Sequence, residues 1–404
     1  MSGPSTRPRS GVTNSFSWGD LGFCLAVVAV YTATMLVVLP GRMPVDRMMV
    51  LADQVLQGRL DSATFKGTVD SVDVGGRYYI AVGPLQVLPY LPFAALHIWR
   101  DYAGHLIGIA VGIPAALLAL PLARAWGSRG SASYWVAGFV AFGTLLFYVS
   151  VFGDFYYLAH AESFLALTLF LIEWAGRRRG AVLGICLALS FLARPTTVLV
   201  AVPFGLALLW QNRHAVSSFV WTAISFAVPI GLAIAAYGWF NWVRFGSPTE
   251  AGYAISYVVD PVLEARRRLG VFSISQIPEN LRLALLSMPR RIDQFPYLTA
   301  DRFGLSMFLV SPALLTSLRA GFKAPELRLV WIAAAIVAVP VFLYYGGGAN
   351  QYGFRYSLDF TPFLIALVAA GSARWKGWPE RLLIVASVAS VGCGVIWHNL
   401  SLQP

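Results

Sequence analysis

The sequence predicts an all-α polytopic membrane protein with about eleven transmembrane helices, and three observations predict it. The first is composition: of 404 residues, 57% are hydrophobic and only 12% charged, with a mean hydropathy of +0.66. Soluble domains carry about a quarter charged residues. The second is spacing, because apolar runs of spanning or near-spanning length fall near 20–39, 103–123, 132–151, 159–175, 180–193, 196–211, 217–241, 303–319, 328–345, 354–371 and 379–397. The third is segregation of the polar residues, which are basic in one set of connections and acidic and aromatic in the other.

Taken in order, residues 1–18 read as a basic cytoplasmic tail with Arg7 and Arg9, and 19–404 as one integral membrane domain. The run from Leu21 to Leu39 is long enough to cross a bilayer at about 1.5 Å per residue. No small-residue cleavage site follows it, so it reads as a retained span rather than a signal peptide. The segment 84–99 is apolar but short, and it carries Pro84, Pro89 and Pro92. Charge decides its place. If it lies along the interface as a juxtamembrane helix, the connections "ARAWGSRGS", "AGRRRGA", "WQNRHAVSS", "SLRAGFKAPELR" and "ARWKGWPER" all face the cytoplasm, and every one is basic. If it crosses, they face outward against the positive-inside bias. It therefore reads as interfacial, with large loops 40–102 and 242–302 on the outer face of the cytoplasmic membrane.

The same topology accounts for the net charge of +11 without nucleic acid. Cys24, Cys186 and Cys393 all fall inside apolar runs, which leaves no disulfide framework or zinc knuckle in the loops. No internal repeat is evident, which weakens a transporter reading.

The first outer loop opens with "PVDRMMVLADQVLQGRL", where Met48, Leu51, Ala52, Val55 and Leu56 recur at helical spacing, with Asp46, Arg47 and Asp53 off that stripe. This predicts an amphipathic juxtamembrane helix. Asp70 and Asp73 follow, then "GGRYY", a tight turn that delivers Arg77, Tyr78 and a second tyrosine. A carboxylate held near the membrane surface can act as a general base toward a hydroxyl, or be a solvated loop acid or a cap. At the start of another span, Asp154, His160 and Glu162 put three titratable groups into nine residues; a polar helix start explains them equally well. Arg194, between two apolar runs and followed by Pro195, must be paired, exposed or bound to an anion such as a lipid phosphate. Arg355 and Asp359, four apart, either bridge along one helix face or divide between substrate phosphate and scaffold. Glu250 and Tyr253, in "FGSPTEAGY", belong to an aromatic loop suited to sugar faces or headgroups.

Seven stretches, "LADQVLQGRL", "GGRYY" with Asp70 six residues before Gly76, "GPLQVLPYLPF", "LARPT", "FGSPTEAGY", "FPYLTADRFGLSMFLVSPALL" and "YGFRYSLDFTPFL", resemble those of the GT-C membrane glycosyltransferases, nearest the bacterial dolichyl-phosphate-mannose mannosyltransferase-like proteins. The resemblance runs from about Met43 to Gly371. It implies a polyprenyl-phosphate-linked sugar donor, a glycan, lipid or protein acceptor, and an outward site in which an acid activates the acceptor. Asp70 is the better match to that acid, and Asp46, nearer the first span, is the other. The substrate-binding set it implies is Asp73, Arg77, Tyr78, His160, Glu162, Arg194, Glu250, Tyr253, Arg355 and Asp359. "DSVD" departs from a DxD motif, so no metal ligand is assigned, although a divalent cation remains open. Membrane lipids are the remaining expected partners. The competing functions are a secondary transporter or lipid flippase, and a polysaccharide polymerase or ligase with a similar donor.

Overall fold

The structure, a computed structural model, describes residues 17–38, 46–293, 297–349 and 351–401. Most of the expected cytoplasmic tail, with Arg7 and Arg9, and the first residues of the outer loop, with Met43, lie outside the described residues.

Each apolar run is helical at least in part, but they are not eleven equivalent spans. Among the described residues, six helices are long and apolar enough to cross a membrane: Trp18–Val38, Arg100–Ala125, Phe155–Ala175, Val216–Phe245, Pro325–Leu343 and Trp378–His398. A seventh crossing needs the pair Ser131–Phe142 and Leu145–Phe152, bent by 43° where Thr144 leaves helical geometry and caps the second helix through Leu146 N. The runs at 180–193, 196–211 and 354–371 form shorter apolar helices. The run at 303–319 departs furthest from expectation, splitting into Met307–Val310 and a 3₁₀ stretch Pro312–Ala320. Pro312 supplies no N–H, and a residue before proline is pushed out of the α region, so Ser311 leaves helical geometry there, at φ −132° and ψ 67°. The molecule is a multi-pass membrane protein whose hydropathy overstates the number of full-length helices.

Side chains tie the basic connections together at one end. Arg124 pairs with Asp20, Ser128 with Ser372, Trp126 donates to the Leu171 carbonyl, Arg178 reaches Gln211, and Arg319 pairs with Glu380. The opposite end gathers 46–102, the turn at 153–154, Arg194, the chain after Phe245, and 344–359. On entry to 84–99 the chain is held by the Arg47 helix; on exit Arg100 forms an ion pair with Asp53 of that same helix. Gln86 meanwhile donates to the Phe155 carbonyl at 3.1 Å. Both ends of this segment thus lie at the acidic end of the molecule. It is a 3₁₀ turn, Leu85–Tyr90, running into a short helix, Leu91–Leu96.

The expected amphipathic helix is Arg47–Leu56, which buries Met48, Met49, Leu51 and Ala52 against Val87, Tyr90 and Leu158. The second large loop begins only at Gly246, because the preceding helix continues to Phe245. It carries helices Pro261–Arg268 and Ile277–Leu286. Among the described residues, the strands form two small antiparallel pairs in an otherwise helical protein.

Candidate active site

The turn after Asp70 is a hairpin, the first of those pairs, Ser71–Val74 with Arg77–Ile80 in the register Ser71 to Ile80. Gly75 and Gly76 both have positive φ, 59° and 83°, the geometry a two-residue hairpin turn requires. Asp73 accepts the Gly76 N–H at 2.9 Å and so shapes the turn; Asp73 and Arg77 are exposed at its tip, and Tyr78 faces Lys66.

Asp70 stands at the opposite, anchored end of the hairpin. Its N–H donates to the Tyr257 carbonyl at 2.9 Å and its carbonyl accepts from Ala81 at 3.0 Å. The backbone there is left-handed, φ 60°, a conformation that non-glycine residues adopt rarely and often at functional positions. The half-buried carboxylate accepts the Tyr156 hydroxyl at 2.6 Å. Burial pushes its pKa upward, against the Tyr156 hydrogen bond and the fields of Arg47, Arg355 and Arg267.

Two arginines frame that acid. Arg47 donates to the Val69 carbonyl and lies 5.3 Å from the Phe155 ring and 6.0 Å from that of Tyr156. Arg355 is buried among the rings of Tyr156, Tyr157 and Tyr356 at 5.8, 5.6 and 5.2 Å. Its Nη1 donates to Gln351 Oε1 at 2.9 Å, while its buried Nε has no partner among the described residues.

Arg355 does not bridge to Asp359. The segment Arg355–Asp359 is 3₁₀ rather than α, so positions four apart do not share a face. Asp359 turns instead to Arg194, which grips it through Nε at 3.1 Å and Nη2 at 2.7 Å, and to His160 Nδ1 at 2.9 Å. Tyr356 lies over this cluster, 5.1 Å from the Arg194 guanidinium and 5.3 Å from the His160 ring. Glu162 is buried two residues further along the helix, and its Oε2 has no partner among the described residues.

Asp46 and Asp154 form a second acidic focus. Each caps a helix with one oxygen, Asp46 through Met48 N at 2.9 Å and Asp154 through Tyr156 N at 2.8 Å. Burial, and then the Asp154 charge, push Asp46 up to about 6. Burial also raises Asp154, against its Tyr156 hydrogen bond and the fields of Arg355 and Arg47. The same two arginines therefore bear on both Asp70 and Asp154.

The far wall comes from the second large loop. Glu250 accepts the Gly252 N–H at 2.6 Å and closes a turn that seats Gly252 against Ala81, where an added Cβ would lie 3.0 Å from the Ala81 Cβ. Tyr253 follows, its ring 6.1 Å from Tyr344. Arg244 is buried at the end of the long helix and donates to the carbonyls of Ile80 at 2.8 Å and Val82 at 3.2 Å. Beside it, a membrane-facing groove of about 480 Å³ is lined by Phe191, Tyr237, Gly238, Trp242, Pro248 and Thr249.

The structure thus links Asp70, Arg355, Arg194, Asp359, His160 and Tyr253 through one cluster of tyrosine rings, Tyr156, Tyr344 and Tyr356. Asp73, Arg77 and Tyr78 sit on the hairpin, and Glu250 shapes a turn. Sequence reasoning missed Tyr156, Gln351, Tyr356 and Arg244. The "FYY" before His160 and the "RY" of "GFRYSLD" were the available signals, since tyrosines beside charge at a span end suit a polar site.

No family model and no curated protein matches the sequence. Among solved structures, ArnT from Cupriavidus metallidurans bound to undecaprenyl phosphate aligns with a TM-score of 0.52 at 16% identity, covering 92% of this chain and 64% of that one. The archaeal oligosaccharyltransferase AglB from Archaeoglobus fulgidus, in complex with an inhibitory peptide and a dolichol-phosphate, aligns with a TM-score of 0.42 at 14% identity over 96% of this chain and 56% of that one. The chain spans less than two thirds of the length of either. Its fold is similar to that of ArnT.

Proposed function

We propose that the protein is a membrane glycosyltransferase that moves a sugar from a polyprenyl-phosphate donor to an acceptor hydroxyl at the outer face of the cytoplasmic membrane. The observation that carries this reading is Asp70, a half-buried carboxylate in left-handed backbone, fixed by Tyr156 and facing the incompletely partnered guanidinium of Arg355. In the reaction the acceptor oxygen bonds to the anomeric carbon as the carbon–oxygen bond to phosphate breaks. The acceptor proton passes to Asp70, and the departing lipid phosphate takes the negative charge, which Arg355 stabilises. Arg194 holds the Tyr356 wall through Asp359 rather than offering a free fork. Tyr253 and Tyr344 offer ring faces for the sugar. The apolar groove beside Phe191 and Trp242 suits the prenyl chain. The mannosyltransferase-like character is part of this proposal, as are the inner placement of the basic end and the interfacial position of 84–99.

A second reading places the base at Asp46. Its favouring observation is the Asp154 neighbour and the rise to about 6, close to what a base working near neutrality needs. Purified Asp70→Asn and Asp46→Asn proteins, assayed side by side with a panel of polyprenyl-phosphate sugars, separate the two. Transfer lost by a factor of about 10² to 10⁴ in Asp70→Asn, with donor binding kept, supports the first reading. Wild-type transfer by Asp70→Asn together with a dead Asp46→Asn moves the base to Asp46.

A further inference from the structure

A second groove lies at the basic end, between helices Ser131–Phe142 and Trp378–Ser401. It holds about 480 Å³ and is walled by Tyr134, Trp135, Gly138, Ile384, Val385 and Val388, almost entirely apolar surface. Val385 is 52% exposed and Val388 37%, so the groove opens sideways toward lipid rather than into the protein. Its rim at the loop end is cationic. Arg129 precedes the lining residue Ser131 by two positions, and Arg381 precedes Ile384 by three, with its guanidinium 5.6 Å from the Trp135 ring.

Three arginines at this end are neutralised by carboxylates, Arg124 by Asp20, Arg179 by Glu173 and Arg319 by Glu380, and none of these three lines the groove. Arg129 and Arg381 have no carboxylate partner among the described residues. An apolar slot open to the bilayer, topped by two uncommitted guanidinium groups, is complementary to one kind of molecule: an acyl chain carrying an anionic phosphate head.

We propose that this groove is a binding site for an anionic glycerophospholipid, with an acyl chain along Trp135, Gly138 and Val388 and the phosphate between Arg129 and Arg381. A zwitterionic lipid fits the walls equally well but brings an ammonium group to the cationic rim. A helix from a second copy fills the slot without using the charge. Each basic residue near a membrane surface contributes about 1 kcal/mol toward anionic lipid, so two give on the order of tenfold or greater preference.

Native mass spectrometry of the full-length protein in detergent, offered equal phosphatidylglycerol and phosphatidylcholine, tests this. The expected result is a phosphatidylglycerol adduct favoured about tenfold or more. The preference should disappear in an Arg129→Ala, Arg381→Ala double variant and persist in Arg268→Ala, whose exposed arginine lies at the opposite end. Equal binding of the two lipids, a preference that survives the double variant, or a dimer mass in place of the adduct overturns the proposal. If the double variant cannot be purified, Gly138→Leu decides, because it fills the groove without touching charge. Loss of the phosphatidylglycerol adduct then supports the site, and its retention overturns it.

Discussion

The Tyr156 hydroxyl donates to the Asp70 carboxylate at 2.6 Å across 86 positions of sequence, joining the first outer loop to the start of the Phe155–Ala175 helix. That bond opposes the upward push of burial on Asp70. Tyr156→Phe removes it, so the folded-state pKa of Asp70 rises further. A base must be deprotonated to act, so the acid limb of the kcat/KM profile should move to higher pH, with activity recovering above it. A profile superimposable on wild type would separate Tyr156 from the chemistry.

Arg355 and Arg194 should respond differently to substitution. Arg355 has an unpartnered buried Nε, whereas Arg194 commits Nε and Nη2 to Asp359. A hydrogen bond to a charged group contributes about 1.5–3 kcal/mol, so Arg355→Ala should weaken donor binding roughly 10- to 100-fold. Arg355→Lys keeps charge but loses the planar fork, and should fall between. Donor titration by isothermal calorimetry reads this directly; unchanged affinity in Arg355→Ala would remove the phosphate role.

For the Arg194 and Asp359 pair the expected readout is stability. The Asp359 side chain is fully buried and that of Arg194 is 20% exposed, so removing the acid leaves a largely buried guanidinium unpaired. Asp359→Ala should cost about 3–5 kcal/mol. The Arg194→Ala, Asp359→Ala double variant should lose less than the two single losses added together. Additive losses in thermal unfolding would show that the contact carries no coupling.

Asp46 has a pH signature of its own. Its folded pKa is raised from 3.8 to about 6, so the folded protein holds its proton where the unfolded chain has released it. Stability from this group is therefore full below about pH 4 and is lost as pH rises through about 6. Asp46→Asn should flatten that segment of a melting-temperature profile. A slope of wild-type size between pH 4 and 6 in the variant would assign it to another group.

Hydropathy and charge made the membrane class and the two chemically distinct ends legible, because each depends on local composition. The Arg47–Leu56 helix was legible for the same reason, through its apolar period. The pairing of Arg355 and Asp359 was not legible, since the four-residue rule assumes an α-helix and the segment is 3₁₀. Neither the Tyr156 bond nor the Arg194 clasp could be read, as each joins residues that only the tertiary fold makes neighbours. The count of spans failed where an apolar run hides a break, at Thr144 and at Ser311–Pro312.

Arg244 gives the position of Asp70 a mechanical dependence. Its guanidinium clasps the Ile80 and Val82 carbonyls, the intervening Ala81 N–H holds the Asp70 carbonyl, and Arg244 itself rides on the helix that forms one wall of the groove beside Trp242. The base of the hairpin, where Asp70 stands, is thus pinned to that helix. A tilt of that helix would carry the two carbonyls it holds, and with them the Ala81 N–H that fixes Asp70. The anchorage of the acid is thereby coupled to a long apolar helix through one buried arginine.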